Sequence, residues 1–340
     1  MRIPLRLILE ARDYVPARYA DPRYTYLRIT HAQGRVTLEA GTREERVRFY
    51  HTPENPPDHP FDLGVPRVLF ELAENLTEDP DLFPENDTLY LEAGKFRGSL
   101  KTFSFGETPQ EEVPPPAQGE TTVEAQTLRE ALGVLEFAKG ESYPPPLNAV
   151  WFTEEGLVGS DGYTLAFYPL KAGFGNFALP RRYTANLLKL LKESSGPVSL
   201  RWGPRLTVET PEWQYTASLA RTSIPNWRTV IPTERPNIPL PRRELLRALR
   251  GLTALEAEVL HMHLKPDGFT LYASGVHGSG ETTIPAQLPH EALYMVNLEA
   301  LKRALDFLTD PTHFTFYPHP RATILVLQDP HALIAQTTFT

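Results

Sequence analysis

The stretch GSDGYTLAF, residues 159–167, sets an Asp-Gly pair between two alternating apolar runs. Glycine accepts the positive φ that a tight turn needs, so the pattern predicts a β-hairpin turning at Asp161 and Gly162. The same residues pose a second question, because a Ser-Asp pair can mark a catalytic site and a Gly-aromatic turn a docking site. The spacing answers half of it. Val158 stands two residues before Ser160, where the Gly-x-Ser-x-Gly elbow of hydrolases requires glycine. Asp161 therefore reads as a turn former.

Outward from this hairpin the same unit recurs. Apolar residues at three- and four-residue spacing predict helices at residues 4–15, 67–76, 128–138, 183–193, 243–255 and 298–308. A hairpin pattern follows each, starting at Gly34, Asp87, Glu155, Pro204, Asp267 and Ala322. That makes six helix-plus-hairpin units of roughly 57 residues. Two proline-rich breaks, EEVPPPAQGE (111–120) and PTERPNIPLP (232–241), read as stiff linkers. They divide the chain into residues 1–112, 118–234 and 238–340, two units each. One unit is too small to bury a helix and a sheet face, but a pair is not. The expected fold class is α+β: three similar domains, each with two helices packed on antiparallel sheet.

The 340 residues are 41% hydrophobic and 22% charged, the profile of a soluble globular protein. No apolar run approaches the length of a membrane span, and MRIPLRLILEARDY lacks the apolar core of a signal peptide. Both features point to the cytoplasm. The lack of cysteine excludes disulfides, thiol catalysis and thiolate metal sites. Thirty-four prolines without cysteine suit a thermophile.

The net charge of −8 argues against nucleic-acid contacts all over the surface, yet leaves room for one basic face. The basic residues are indeed concentrated. Residues 242–250 carry four arginines against one glutamate, and residues 181–193 carry four cations against one. Acidic residues crowd the loops, as in ENLTEDPDLFPEND from Glu74. Such helices could meet phosphates without sequence preference, or simply form a solvated face.

No catalytic constellation is visible. There is no Walker loop, and GVHGSG (275–280) has the wrong spacing for a dinucleotide fingerprint and reads as a hairpin turn. His261 and His263 alternate on a strand, so both would share a face, but no nearby sequence completes a zinc site. Binding or scaffolding leads over catalysis.

GSDGYTLAFY (159–168) and SIPNWRTVIP (223–232) resemble, in order and spacing, two motifs in the middle domain of the bacterial sliding clamp, the beta subunit of DNA polymerase III. PPLNAVWF (145–152), VNLEALKRAL (296–305) and ADPRYTYLRI (20–29) add to the similarity, which covers nearly the whole chain. The resemblance implies the DNA clamp fold and a head-to-tail homodimeric ring, with helices lining the hole and sheets outside. Duplex DNA would pass through without sequence-specific contact. DNA polymerase, clamp loader and other partners would dock through short linear peptides. The ring itself would need no cofactor or metal and would not be an enzyme.

Carried over by motif, the peptide pocket would include Leu147, Ser160, Gly162, Tyr163, Thr164, Leu165, Pro225, Thr229, Val230 and Thr338. The basic residues placed toward DNA would be Arg6, Arg18, Arg23, Lys139, Arg181, Arg182, Lys189, Arg242, Arg243, Arg247, Arg250, Lys302 and Arg303. The dimer contact would fall on Leu72, Leu76, Gly98 and Leu100.

The chain departs from the family pattern in four places. It is shorter, mainly in the first domain. Thr164 and Thr229 stand where arginine is frequent, and Gly98 where a bulky apolar residue is usual. The C-terminal Pro-Met pair is replaced by QTTFT (336–340). These departures keep an alternative open: a monomeric clamp-like module that binds peptides without ring function.

Overall fold

The computed structural model describes residues 1–104, 116–319 and 322–338. Contacts gather the chain into two compact units, Met1–Glu124 with Gly196–Leu219, and Ala125–Ser195 with Ala220–Thr340.

In the first unit, α1 (Leu5–Arg12) buries Leu7, Ile8 and Ala11, and α2 (Val68–Glu74) buries Leu69, Phe70 and Ala73. The two helices pack together. A nine-stranded antiparallel sheet runs in the order Phe103–Ser104, Phe61–Pro66, Tyr26–Ala32, Arg35–Gly41, Glu45–His51, Trp213–Ser218, Arg205–Glu209, Pro197–Trp202 and Gly119–Glu124. Alternation along Tyr26–Ala32 turns Leu27, Ile29 and His31 inward. On the opposite face Arg28 pairs with Asp62 (2.7 Å) and Arg48 with Glu39 (2.6 Å). A three-stranded sheet, Asp81–Glu85, Thr88–Ala93 and Phe96–Lys101, completes the unit.

In the second unit, α3 (Ala125–Leu132) continues as a 3-10 turn, Gly133–Phe137, and packs on α4 (Arg181–Lys192). Helix α5 (Arg242–Thr253) packs on α6 (Leu298–Phe307). Eight antiparallel strands run in the order Phe177–Pro180, Ala149–Thr153, Gly156–Ser160, Thr164–Pro169, Leu333–Thr337, Ala322–Gln328, Thr312–His319 and Ile238–Leu240. A four-stranded sheet follows the order Gly278–Pro285, Gly268–Gly275, Val259–Lys265 and Ala292–Asn297.

The α+β class and the six helix-plus-hairpin units are borne out. The hairpin expected at GVHGSG is there too, with Gly275 opposite Gly278. The sheets, however, continue past the ends of the expected segments. Trp213–Ser218 pairs with Glu45–His51, Trp213 opposite Phe49, while Thr164–Pro169 pairs with Leu333–Thr337. The strands of residues 118–234 thus divide between the two units. The physical reason is that each hairpin leaves an open edge of unpaired N–H and C=O groups, and a second hairpin satisfies it. The segment end at 112 and residues 111–115 of the first linker lie outside the described residues. Within the remainder of the two linkers, Gly119–Glu124 and Ile238–Leu240 are strands.

A close approach fixes the hairpin of residues 156–169 over the turn that follows α3. A Cβ on Gly159 would lie 2.0 Å from the backbone oxygen of Val134. Gly159→Ala is expected to destabilise the protein by about 1–3 kcal/mol through overpacking. Gly251→Ala, in α5 with nothing within 4 Å of the new Cβ, is expected to stabilise by about 0.5–1 kcal/mol. Urea denaturation of both variants checks the pair.

Candidate functional site

The hairpin turn uses almost every polar atom in it. Gly162 takes φ +91°, as the Asp-Gly pattern requires. Asp161 Oδ1 accepts hydrogen bonds from the backbone N–H groups of Tyr163 (2.9 Å) and Thr164 (2.7 Å). Ser160 Oγ donates to Thr164 O (2.9 Å) and accepts from Gly162 N (3.1 Å). The Ser-Asp pair is therefore spent on turn geometry. The ring of Tyr163 points outward, 70% exposed, while its carbonyl accepts from Thr337 N (3.0 Å) and Thr337 Oγ1 (3.1 Å).

Strand alternation sorts the neighbouring residues. Thr164, Ala166 and Tyr168 share the face turned to α3, where the Tyr168 hydroxyl donates to Glu130 (3.2 Å). Leu165 and Phe167 take the opposite face. There Leu165 packs with Ala149, Trp151, Val158, Ala178 and Trp227, and Phe167 and Val230 lie against this cluster. Val230 also touches a second cluster of Ile324, Val326 and Ala335, flanked by Tyr317 and Leu333. The segment Trp227–Val230 thus lies across an apolar floor built from six strands of one sheet. Phe167 stacks on Trp227 with ring centroids 4.7 Å apart. Beside them, Arg228 pairs with Glu155 (2.6 Å) at a depression of about 390 Å³ lined by Phe167, Trp227, Gln328 and Leu333.

The structure brings together Leu165, Val230, Tyr163 and the C-terminal strand. Leu147 lies beside the turn, its Cδ1 being 4.0 Å from where a Cβ on Gly162 would stand. Thr164 is buried on the helix side, and Thr338 is tied to Thr323 O by its N–H (2.9 Å) and hydroxyl (3.0 Å). Thr229 is exposed, its hydroxyl bonded to Asn226 O (2.8 Å). Pro225 lines a shallow depression with Asn176 and Ile224. Trp227, Phe167, Val326 and Ala335 were not singled out from sequence, although Trp227 sits inside the quoted SIPNWRTVIP and the others lie at alternate positions of apolar strands.

The basic residues fall into three groups. Arg181 donates to Leu135 O (2.6 Å) and Ala138 O (2.7 Å), Arg242 to Leu305 O (2.8 Å), and Arg303 to Glu136 O (3.2 Å) and Asp161 Oδ2 (2.9 Å). A second group is exposed but ion-paired: Arg243 with Asp310 (3.0 Å), Arg250 with Asp306 (3.2 Å) and Arg23 with Asp21. The hydrogen bond from Arg23 is the main cause that lowers the Asp21 carboxyl to about 2. Lys302 stands 3.4 Å from Glu299. Arg182 is exposed and reaches the Tyr183 hydroxyl (3.0 Å), and Lys189 is exposed on the same helix. Arg6, Arg18 and Arg247 are exposed without an ion-pair partner among the described residues. Lys139 lies between two exposed rings, 4.3 Å from Tyr143 and 5.6 Å from Tyr163.

Gly98 stands on the edge strand Phe96–Lys101, and a Cβ there would meet the Phe96 ring at 2.9 Å. Phe96 therefore covers the face that Gly98 leaves bare. Leu100 is buried, Leu72 and Leu76 half-buried. His263 pairs with Glu291 (2.9 Å). Among the described residues no three His, Cys, Asp or Glu side chains converge as metal ligands, and no helix is long and apolar enough to cross a membrane.

This architecture is that of the DNA sliding clamps. It matches the DNA polymerase III subunit beta of Pseudomonas aeruginosa over 100% of this chain and 99% of that one, with TM-score 0.87 and 17% identity. A Pseudomonas aeruginosa clamp bound to griselimycin gives TM-score 0.89 over the same shares, also at 17% identity. The Thermotoga maritima beta subunit gives 0.84 at 16% identity over 99% and 96%. No protein-family model and no curated protein sequence matches. The resemblance read from the two middle-domain motifs is thus borne out as a shared fold.

Burial, then the nearby Glu130 charge, raises the Tyr168 hydroxyl to about 12, above the usual 10 of an unfolded tyrosine. A folded-state pKa raised in this way adds stability that is fully present below pH 10 and is lost as pH rises toward 12. Melting temperature is expected to fall across that window, and to fall less steeply in Tyr168→Phe, as followed by circular dichroism.

Proposed function

We propose that this chain is a divergent bacterial sliding clamp: a non-catalytic processivity factor whose head-to-tail dimer encircles duplex DNA. In this reading it tethers DNA polymerase, clamp loader and other partners through short peptides. The observation that carries the proposal is the full-length clamp fold with its apolar floor intact under the Asp-Gly hairpin. Three domains, 1–112, 118–234 and 238–340, from each of two copies supply the six arcs of the ring.

Two edges support closure. Phe96–Lys101 and Gly278–Pro285 each end a sheet with unpaired backbone groups. Pairing one with the other across a dimer satisfies both, with Leu72, Leu76, Leu100 and the Phe96 ring over Gly98 beside the seam. The monomeric alternative drew on Gly98 and on the altered C-terminus; the Phe96 ring over Gly98 weighs against the first of these grounds. Arg6, Arg18, Arg182, Lys189 and Arg247 are the cations best disposed toward phosphates, and weak contacts of this kind let a ring slide. Leu165, Val230, Leu147 and Ala335 form the floor for Leu or Phe side chains of docked peptides, with Tyr163 and Thr229 on the rim. The composition fits a cytoplasmic protein of a thermophile, and the outer ion pairs of Arg28, Glu39, Arg48 and Asp62 fit the same setting.

Light scattering over a dilution series is expected to give twice 38.4 kDa; a mass of 38.4 kDa throughout would return the lead to the monomeric module. Arg247→Ala is expected to reduce the salt slope of duplex binding by about 1 while leaving the mass unchanged. Val230→Asp is expected to abolish griselimycin uptake, measured by calorimetry, with DNA binding retained.

A further inference from the structure

We propose that Arg303 is a positioning residue for the docking pocket, holding the Asp-Gly hairpin in its binding shape from α6, and not a phosphate contact. The inference rests on the docking reading of the hairpin given above.

Asp161 divides its two oxygens between two tasks. Oδ1 shapes the turn through Tyr163 N and Thr164 N, and Oδ2 accepts from Arg303 Nη2 at 2.9 Å. The rest of the guanidinium is engaged through Nη1 and the ring face, while the buried Nε has no hydrogen-bond partner among the described residues. Nη1 donates to Glu136 O (3.2 Å), and the group lies 5.0 Å over the Phe137 ring. Phe137 in turn meets Phe307 of α6 edge-on, centroids 5.4 Å apart. This contact needs Gly133, where a Cβ would come within 2.8 Å of the Phe307 ring.

The side chains of Arg303 and Asp161 are 34% and 20% exposed, so the pair is better shielded than an ordinary surface ion pair. Its effect passes directly to the pocket. The carboxylate that Arg303 anchors holds the amide of Tyr163; the carbonyl of Tyr163 holds Thr337; and Thr337 lies two residues beyond Ala335 of the floor. Without the guanidinium, Asp161 loses its tie to α6, and the turn bonds made by its other oxygen are held less firmly. On α6 the neighbouring Lys302 instead faces the exposed Glu299, 3.4 Å away.

The test uses the full-length protein and its Arg303→Ala, Arg303→Lys and Asp161→Asn variants. Three quantities are read: griselimycin affinity by calorimetry, hydrogen exchange of the Tyr163, Thr164 and Thr337 amides, and the salt slope of duplex DNA binding. Arg303→Ala is expected to weaken griselimycin about tenfold and to speed exchange of the three amides by a similar factor, the scale of one charge-assisted hydrogen bond. The salt slope should stay unchanged. Arg303→Lys should recover most of both losses, and Asp161→Asn should fall between. Unchanged exchange in Arg303→Ala would overturn the proposal, as would a salt slope reduced by about 1 with the pocket intact. Should the wild-type protein take up no griselimycin, the docking reading fails, while amide exchange still decides whether Arg303 holds the hairpin. Should Arg303→Ala not fold, the lysine and asparagine variants carry the same readouts.

Discussion

Backbone hydrogen bonds between Thr164–Pro169 and Leu333–Thr337, in register from Thr164 opposite Gln336 to Phe167 opposite Leu333, join one repeat's hairpin to another's. The first unit contains an equivalent join between Trp213–Ser218 and Glu45–His51. A helix with one hairpin buries too little apolar surface to persist alone and leaves an edge strand open. Edge-to-edge pairing answers both problems, and builds sheets of eight and nine strands from short ones. The remaining features of the candidate site depend on this join. It brings Ala335 and Val326 beside Leu165, and it gives Trp227–Val230 a continuous floor to cross.

The chemistry of the hairpin follows from how its polar groups are used. Ser160 and Asp161 satisfy the backbone of a tight turn, so what remains for a partner is shape: apolar side chains below, an aromatic ring and a few hydroxyls at the rim. The basic residues show a similar economy. Arg181, Arg242 and Arg303 bond backbone carbonyls, where planar guanidinium groups with several donors do well. Those left exposed on helices are therefore fewer than the sequence count.

Much of this was legible in the sequence because it is local. The helices appear where apolar residues recur every three or four positions, as in residues 242–253, whose Leu245, Leu246, Leu249 and Leu252 are all buried. The turn at Asp161-Gly162 was readable because glycine alone adopts its φ readily. The apolar floor was partly readable: Leu165 and Val230 belong to motifs quoted whole, and they share one apolar cluster. Thr164 stands next to Leu165 in the same motif yet faces elsewhere, since a strand sends successive side chains to opposite sides. The Arg303–Asp161 tie joins residues 142 apart, and nothing in either local pattern announces it.

The sequence by itself determined the elements and their repetition, because helix periodicity, strand alternation and turn chemistry act over a few residues. It also determined that no thiol chemistry is possible. Only the tertiary structure decided which hairpins share a sheet, which arginines remain available to a ligand, and which face of each strand meets solvent. Those outcomes depend on backbone edges and charged groups that find partners far along the chain. The pairing is selected by the burial and hydrogen bonding of the whole, which no short window of residues contains.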